Sequence, residues 1–289
     1  MIKEIRAKKI LSNLKNPDPW FGIKYNMNLY RGCEHGCIYC DSRSQCYQID
    51  NFDIIHVKIN ALELLKKELS SKREKGTVGT GSMSDPYIPI EKELRLTREA
   101  LKVIASYYFP VHVITKSDLV VRDKDILQDI NRIYGAVSFT ITTCDDDLAK
   151  KIEPRAPSPS SRYRAMEILA EAGIYTGLTM MPILPFIEDD EENIRCIVEK
   201  AAAHGAKYII PSFGMTLRDK QRAYYYKQLD RLFPELRRKY EVKYGNQYIC
   251  SVNNAHKLIG KFKELCNRYN IKIVMDKYHG DNSEQLSLF

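Results

Sequence analysis

The sequence has no apolar run approaching the ~20 residues that a membrane-spanning helix needs, and we therefore expect no membrane partner. Its N-terminal stretch, MIKEIRAKKILSNL, lacks the continuous apolar segment and the small-residue cleavage site of a secretory signal. It also contains no repeat of about 20 to 50 residues and no low-complexity tract, which argues against a solenoid or a fibre. Together these absences predict a soluble, cytoplasmic, globular protein.

The composition is that of an ordinary globular protein, since 44% of the 289 residues are hydrophobic and 28% are charged. This length suits an α/β barrel, so we expect one large domain with a small appendage. Lys and Arg outnumber Asp and Glu by 45 to 37, and the net charge of +8 favours polyanionic partners.

The basic excess is concentrated between residues 216 and 244, where nine basic residues accompany four acidic ones. The same segment contains Tyr224, Tyr225, Tyr226, Tyr240 and Tyr244. Cations and aromatic rings in this mixture can contact phosphates and stack on bases. The pattern also fits a solvated surface helix whose tyrosines partly face the core, and the sequence leaves both interpretations open.

Short apolar or β-branched runs alternate with longer segments of helical spacing, as in parallel βα units with right-handed crossovers. The predicted strands are residues 27–30, 77–79, 111–115, 136–142, 175–180 and 208–211, and the predicted helices are residues 61–72, 97–107, 124–133, 160–172 and 191–204. This alternation predicts an α/β fold, a partial (β/α)6 barrel of the TIM type. We place the barrel at residues 21–215, after an N-terminal segment (1–20) and before a helical C-terminal extension (216–278), with a further strand at 271–275, and a flexible tail (279–289).

In such a barrel the active site lies at the carboxyl ends of the strands, in the loops that follow them. The first five predicted strands are followed by RGCEHGCIYC, GTGSMSDPYIP, KSD, TCDDD and MPILPFIED. We expect these five loops to meet at one mouth.

Three of the eight cysteines, Cys33, Cys37 and Cys40, lie within RGCEHGCIYC. In a reducing cytoplasm cysteines serve as ligands or buried thiols more often than as disulfides. A structural zinc ion needs a fourth ligand, which His35 or Cys46 would have to provide because no second paired motif stands out. Three cysteines suit a four-iron, four-sulfur cluster better, since three irons take thiolates and the fourth stays open for another ligand.

The CxxxCxxC spacing, with Tyr39 before the last cysteine, resembles the radical SAM superfamily. Six segments within residues 20–215 resemble the spore photoproduct lyase-like branch of this superfamily, which is related to DNA repair photolyases. The segments are NLYRGCEHGCIYC, GTGSMSDPY, VITKSDL, VSFTITT, EPRAPSP and MPILPF. The resemblance implies a barrel of the radical SAM kind whose 4Fe-4S cluster binds S-adenosylmethionine (SAM) at the open iron. It also implies that an electron from a flavodoxin- or ferredoxin-type donor cleaves SAM to a 5′-deoxyadenosyl radical, which abstracts hydrogen from a substrate.

Several loop residues have side chains suited to holding SAM. Gly79 and Gly81 would let the backbone approach the methionine moiety closely. Ser84 and Asp85 would hold its ammonium group or the ribose, and Lys116 its carboxylate, by charge-assisted hydrogen bonds. A local turn before Pro86 is the alternative explanation for Ser84 and Asp85.

The resemblance adds two further cofactor-binding candidates, Ser138 and Tyr39. Ser84, Lys116 and Ser138 match cofactor-contacting positions of the family, and Tyr39 would present backbone groups to adenine. Arg155 is a candidate for binding a ribose, a carboxylate or a substrate phosphate, with a plain surface arginine as the alternative.

Two positions depart from the spore photoproduct lyase pattern. That enzyme carries a hydrogen-donating cysteine where this chain has Ser82, and a tyrosine where it has Asp41. Because a serine O–H bond is far stronger than a thiol S–H bond, we do not expect thymine photoproduct repair itself. Cys144 is the candidate catalytic thiol, followed by Cys46, although a buried packing thiol also fits Cys144.

The sequence therefore predicts a radical SAM enzyme that acts on a macromolecule, with nucleic acid, in DNA repair or modification, as the leading substrate class. Modification of a peptide, a protein or RNA is one alternative. A non-catalytic iron–sulfur protein that transfers electrons or senses redox state is the other.

The C-terminal residues Gln285, Leu286, Ser287, Leu288 and Phe289 are similar to the pentapeptide by which bacterial polymerases and repair proteins bind the sliding clamp. In such a peptide Leu288 and Phe289 would insert into an apolar pocket. An apolar terminus that folds back onto its own barrel is the alternative.

Overall fold

The computed structural model describes residues 1–49 and 51–280. The strands are β1 (Ile2–Ile5), β2 (Leu11–Asn13), β3 (Ile23–Met27), β4 (Tyr30–Arg31), β5 (Ile55–Lys58), β6 (Thr77–Thr80), β7 (Val111–Thr115), β8 (Gly135–Thr140), β9 (Tyr175–Met180), β10 (Ile209–Pro211), β11 (Gly214–Thr216) and β12 (Ile249–Ser251). The α-helices are α1 (Ala61–Ser70), α2 (Glu91–Leu94), α3 (Leu96–Ser106), α4 (Lys124–Asn131), α5 (Asp146–Ile152), α6 (Pro159–Glu171), α7 (Glu191–Ala203), α8 (Asp219–Leu232), α9 (Leu236–Tyr244) and α10 (Ala255–Arg268).

The main sheet contains six parallel strands in chain order, β3, β6, β7, β8, β9 and β10, with β2 added antiparallel to β3 at one edge. Its central strands β6 and β8 are buried along their whole length, as expected where helices cover a parallel sheet. The sheet is open between β2 and β10. This topology confirms the predicted partial (β/α)6 barrel.

The first barrel strand differs from its predicted position. The chain forms β3 at residues 23–27 and a separate short strand, β4, where the prediction placed the strand end. Buried and half-buried residues alternate along β3, because Lys24 and Asn26 point away from the helix layer. A search for continuous apolar runs misses a strand with this alternation.

The N-terminal segment is tied to α1 by side chains. The carboxylate of Glu68 accepts hydrogen bonds from the backbone N–H groups of Ile10 and Leu11, both at 2.9 Å. Asn60 exchanges two hydrogen bonds with the backbone of Ala7, at 2.8 and 3.0 Å. These bonds hold β2 in place beside both α1 and β3.

The chain after the barrel forms helices α8, α9 and α10 and a hairpin of β11 with β12. The strand predicted at 271–275 is wrong, because only an isolated bridge between Lys272 and Tyr208 forms there. The division into segments 1–20, 21–215, 216–278 and 279–289 stays a prediction. Residues 285–289 lie outside the described residues.

Four of the five tyrosines in the basic segment face inward. Tyr225, Tyr226, Tyr240 and Tyr244 are buried together between α8, α9 and the loop after β9. Their rings therefore pack the core of the extension and offer no stacking surface, so the interpretation as a surface helix with core-facing tyrosines is the better one.

Within the described chain, none of the helices combines the length and the apolar character that crossing a bilayer demands.

Candidate active site

A cavity of about 580 Å³ opens at the carboxyl ends of the barrel strands. This volume lies within the range of ~300–1,000 Å³ that is usual for small-molecule and cofactor pockets. Its walls bring together most of the residues predicted from the sequence, namely Cys33, Cys37, Tyr39, Cys40, Gly81, Ser84, Asp85 and Lys116.

The cysteine loop (residues 31–40) lies on one wall of this cavity. Gly32 and Gly36 have φ angles of +85° and +72°, which L-residues with a Cβ rarely adopt. A Cβ on Gly32 would also lie 2.6 Å from the carbonyl oxygen of Ile54. Only glycine lets the loop pass this close to the chain that enters β5, and this packing fixes where the thiols point.

Burial raises the pKa of all three cavity thiols. The pKa of Cys33 rises to about 12, and that of Cys37 lies well above the usual thiol value. The pKa of Cys40 is also raised, again mainly by burial. Thiols in such a place need a strong positive centre to become thiolates.

Comparison with known proteins decides what this centre is. The sequence profile described as "Radical SAM superfamily" matches residues 27–196. This chain belongs to the radical SAM superfamily.

Similar proteins agree with this assignment. An uncharacterized protein of Methanocaldococcus jannaschii is 38% identical over 193 residues, which is 66% of this chain and 70% of that protein. The radical SAM Nα-GlyT isomerase of Pseudomonas phage M6 is 25% identical over 181 residues, 63% of this chain and 37% of the isomerase. A solved structure of a spore photoproduct lyase variant with bound AdoMet and dinucleoside spore photoproduct superposes with a TM-score of 0.67 at 18% identity, covering 93% of this chain and 78% of the lyase.

Membership of this superfamily implies a 4Fe-4S cluster and SAM. No three His, Cys, Asp or Glu side chains among the described residues lie close enough together to bind a single metal ion. A cluster spreads its thiolates over different irons, so three thiols that line one cavity provide the donor set that it needs.

The wall opposite the cysteine loop offers a backbone surface that a SAM molecule can approach. Gly81 has a φ of +91°, and a Cβ there would lie 2.2 Å from the carbonyl oxygen of Ile114. Ser84 is buried at the cavity wall, and its hydroxyl donates to the carbonyl of Tyr30 at 2.9 Å. Both positions fit the roles predicted for them, and these roles stay predictions.

Asp85 organises the loops around it. Its carboxylate accepts hydrogen bonds from the backbone N–H groups of Tyr87 and Lys116 and from the hydroxyl of Thr115, at 2.7–2.8 Å. Burial alone would raise its pKa, but His35 at 3.3 Å and these donors lower the pKa to about 2. The carboxylate therefore holds the loops after β6 and β7 together, in addition to lining the cavity.

A cluster of buried charges lies behind the cysteine loop. Glu153 pairs with Arg162 at 2.5 Å and with Lys116 at 3.9 Å, and it accepts a hydrogen bond from the hydroxyl of Tyr39. Burial would raise the pKa of Glu153, but Arg162 and Lys116 outweigh it and lower that pKa. For Lys116 burial would lower the pKa, yet the charges of Cys37 and Glu153 raise it. Lys116 is thus held as a cation beside the cavity.

Three predicted cofactor-binding residues lie outside the cavity wall. A Cβ on Gly79 would lie 2.4 Å from the side chain of Ile23, so this glycine serves strand packing. Ser138 is fully buried inside the barrel, where its hydroxyl contacts His112 and Tyr208, each at 2.7 Å. Arg155 is exposed and donates to the carbonyl of Glu34, which clamps the cysteine loop from outside.

The catalytic candidate Cys144 is also absent from the cavity wall. Its side chain points to α7, where it forms a disulfide with Cys196, and its backbone N–H donates to Asn193 of the same helix at 3.2 Å. A sulfur in a disulfide carries no hydrogen to donate, so we withdraw Cys144 as the catalytic thiol. This pair is an exception to the expectation of ligands or buried thiols, since the other six cysteines are free.

The two residues that depart from the lyase pattern both line the cavity. Ser82 exchanges hydrogen bonds with Asn26 at 2.8 and 3.0 Å. Asp41 pairs with Arg218 at 2.6 Å and accepts from Thr216 at 3.0 Å. Asp41 therefore links the cysteine loop to the chain that follows the barrel.

Sequence reasoning missed two features of this site. Trp20, the single tryptophan of the chain, is 48% exposed and lines the cavity. Glu188 is fully buried and joins the loops after β8 and β9, accepting from Thr142 at 2.6 Å and from the backbone of Leu184 at 2.9 Å. A lone tryptophan before the first barrel strand was the available signal for Trp20, whereas nothing in the sequence marks Glu188 as buried.

Proposed function

We propose that this radical SAM enzyme abstracts hydrogen from a nucleic-acid substrate, in DNA repair or modification. The observation that carries the proposal is a single cavity that reaches from the three thiols of the cysteine loop to an exposed tryptophan. Aromatic side chains at such a mouth stack on nucleobases, which adds about 1–3 kcal/mol per base. The superposed lyase structure, with AdoMet and a dinucleoside photoproduct bound, supports the same substrate class.

In this proposal Cys33, Cys37 and Cys40 hold the cluster, while Gly81, Ser84 and Lys116 contact SAM. When bound, the cluster and SAM supply a 5′-deoxyadenosyl radical that takes a hydrogen atom from the substrate. The chain positions the cofactor and excludes water from the cavity. Lys116 supplies a fixed cation for the carboxylate of SAM, and Asp85 holds together two of the loops that form the cavity wall.

Thymine photoproduct repair is not part of the proposal. Among the described residues, the cysteines that line the cavity are the three assigned to the cluster. Ser82 and Asp41 stand where the lyase pattern has its cysteine and tyrosine, and Cys144 is bonded to Cys196. Cys46, the second candidate, is a free but exposed thiol that does not line the cavity, so we expect the reaction to finish without hydrogen donation from a thiol of the cavity wall.

Isotope transfer tests the substrate class. Anaerobic reconstituted protein would be reduced with dithionite and supplied with SAM and deuterated DNA oligonucleotides, and 5′-deoxyadenosine would be analysed by mass spectrometry. Deuterium in 5′-deoxyadenosine is expected with DNA. Deuterium arriving only from labelled RNA, peptide or protein pools would overturn the substrate class, and an intact cluster without any cleavage of SAM would favour the electron-transfer or redox-sensing alternative.

Two protein partners belong to the proposal as well. A flavodoxin- or ferredoxin-type protein would supply the electron. The peptide Gln285, Leu286, Ser287, Leu288, Phe289 would bind a bacterial sliding clamp, by its similarity to the clamp-binding pentapeptide.

A further inference from the structure

A second cavity, of about 650 Å³, lies between β2 and α1. Four lysines line it, Lys8 and Lys9 from the chain before β2 and Lys67 and Lys72 from α1 and the turn after it. We call this cavity the lysine cleft.

The positive charge of the lysine cleft is poorly compensated. Its wall includes one carboxylate, that of Glu68, whose two oxygens accept the backbone N–H groups of Ile10 and Leu11, so four lysines face a single negative charge. In the part of the chain that the structure describes, no carboxylate lies within ion-pair distance of Lys8, Lys9 or Lys67. Ammonium groups that line one cleft repel one another, and an anion bound there relieves this repulsion.

Helix stabilisation explains only part of this arrangement. Lys67 lies in the last turn of α1, where a cation is favoured by the helix dipole. Lys8 and Lys9 belong to no helix, and they reach the cleft from a segment almost 60 residues away along the chain. The helix dipole therefore does not explain why Lys8 and Lys9 line the same cleft as Lys67.

The lysine cleft lies next to the catalytic cavity. Ser12 lines the cleft and stands opposite Asn26 in the β2–β3 register. The side chain of Asn26 in turn donates to Ser82, which lines the catalytic cavity, at 2.8 Å. The β2–β3 pair therefore connects the lining of the cleft with that of the catalytic cavity.

We propose that the lysine cleft binds phosphate groups of a nucleic-acid strand whose reacting nucleotide occupies the catalytic cavity. The inference rests on the proposed function for its substrate. Lysines that line one cleft can contact several phosphates of a strand, and such contacts position the strand without reading its sequence. The basic segment 216–244 is the competing surface, because Lys227 and Lys239 are also exposed there.

Binding of a fluorescein-labelled single-stranded DNA oligonucleotide, followed by anisotropy at several salt concentrations, tests this assignment. The variant is Lys8→Gln/Lys67→Gln, and the matched control Lys227→Gln/Lys239→Gln removes the same charge from α8 and α9. Loss of two phosphate contacts should lower the slope of log K against log salt by about 1.4 and weaken binding about tenfold at low salt. The control should bind nearly as well as the unaltered protein.

Equal loss in both variants, or no loss in the cleft variant, would overturn the proposal. Equal competition by polyglutamate at matched charge would overturn nucleic acid as the ligand. Iron content and circular dichroism of each variant show whether it is folded, and the single variants Lys8→Gln and Lys67→Gln repeat the test if the double variant is not. Cleavage of SAM by the unaltered protein is measured separately, so that failure of the proposed chemistry and failure of the cleft are told apart.

Discussion

The buried charges behind the cysteine loop and the lysines of the lysine cleft both lie beside the catalytic cavity, yet they differ in compensation. Glu153 and Arg162 are nearly inaccessible to solvent, Lys116 is partly buried at the cavity wall, and each of the three has an opposite charge nearby. Lys8 and Lys67 are exposed and have no such partner among the described residues. Paired buried charge shapes the site, whereas unpaired exposed charge is available to a ligand. Substitutions among the buried charges should therefore reduce stability, whereas substitutions in the lysine cleft should weaken ligand binding.

The largest effect is expected from the cysteine loop, which the buried charges support. Replacing Cys33, Cys37 or Cys40 by Ala should remove most of the cluster iron and all cleavage of SAM, since each would supply one iron ligand. Iron analysis and chromatography of 5′-deoxyadenosine measure both losses. Cys46→Ala, at an exposed thiol, is the control and should keep its iron. Normal iron content in the three loop variants would contradict the ligand assignment.

The second largest effect is expected at Glu153, the carboxylate among the buried charges. Glu153→Gln keeps the shape of the side chain but leaves Arg162 and Lys116 buried without their counter-charge. Breaking a buried pair in this way costs about 3–5 kcal/mol of the free energy of unfolding. Anaerobic urea denaturation measures the change.

The matched control for this substitution is Glu99→Gln, which breaks an exposed pair with Lys102. Such surface pairs contribute only about 0–1 kcal/mol. Similar losses of unfolding free energy in the two variants would show that burial of the ion pair makes no difference to its contribution.

Trp20 should have a smaller effect, confined to substrate. Trp20→Ala removes the exposed ring at the cavity mouth and should weaken oligonucleotide binding about tenfold, whereas Trp20→Phe should keep most of the affinity because any aromatic face can stack. Anisotropy titrations give both affinities. The same loss in the Ala and Phe variants would argue against stacking.

The smallest effect on chemistry is expected from deleting residues 285–289, none of which belongs to the buried charges or to the lysine cleft. Cleavage of SAM should be unchanged, while binding to an immobilised sliding clamp should be lost with the Leu288 and Phe289 anchors. Surface plasmon resonance measures the second. Unchanged affinity for the clamp would contradict the hypothesis that residues 285–289 bind it.

Much of the barrel could be predicted because its inner strands are short apolar runs buried on both faces. Strands β7 and β9 begin and end at the predicted residues. The N-terminal strands were missed for the opposite reason, since three of the four residues in β1 are exposed. Only pairing with β5, some 50 residues further on, makes β1 a strand.

The site was predictable where residue type alone sets the chemistry, as with the three cysteines, and where a loop follows a strand end, as with Gly81 and Ser84. It was not predictable where tertiary packing decides. Ser138 faces His112 and Tyr208 inside the barrel, and Cys144 meets a sulfur 52 residues away on α7. The tyrosines of segment 216–244 show the same limit, because burial cannot be read from a count of aromatic residues.

The position of Trp20 gives this protein an optical property. Since the chain has one tryptophan, its near-ultraviolet emission under selective excitation comes from a single place at the rim of the catalytic cavity. A nucleoside sulfonium or a nucleobase that arrives beside this indole changes its surroundings and hence its fluorescence. Occupancy of the site can thus be followed without an attached label and without turnover.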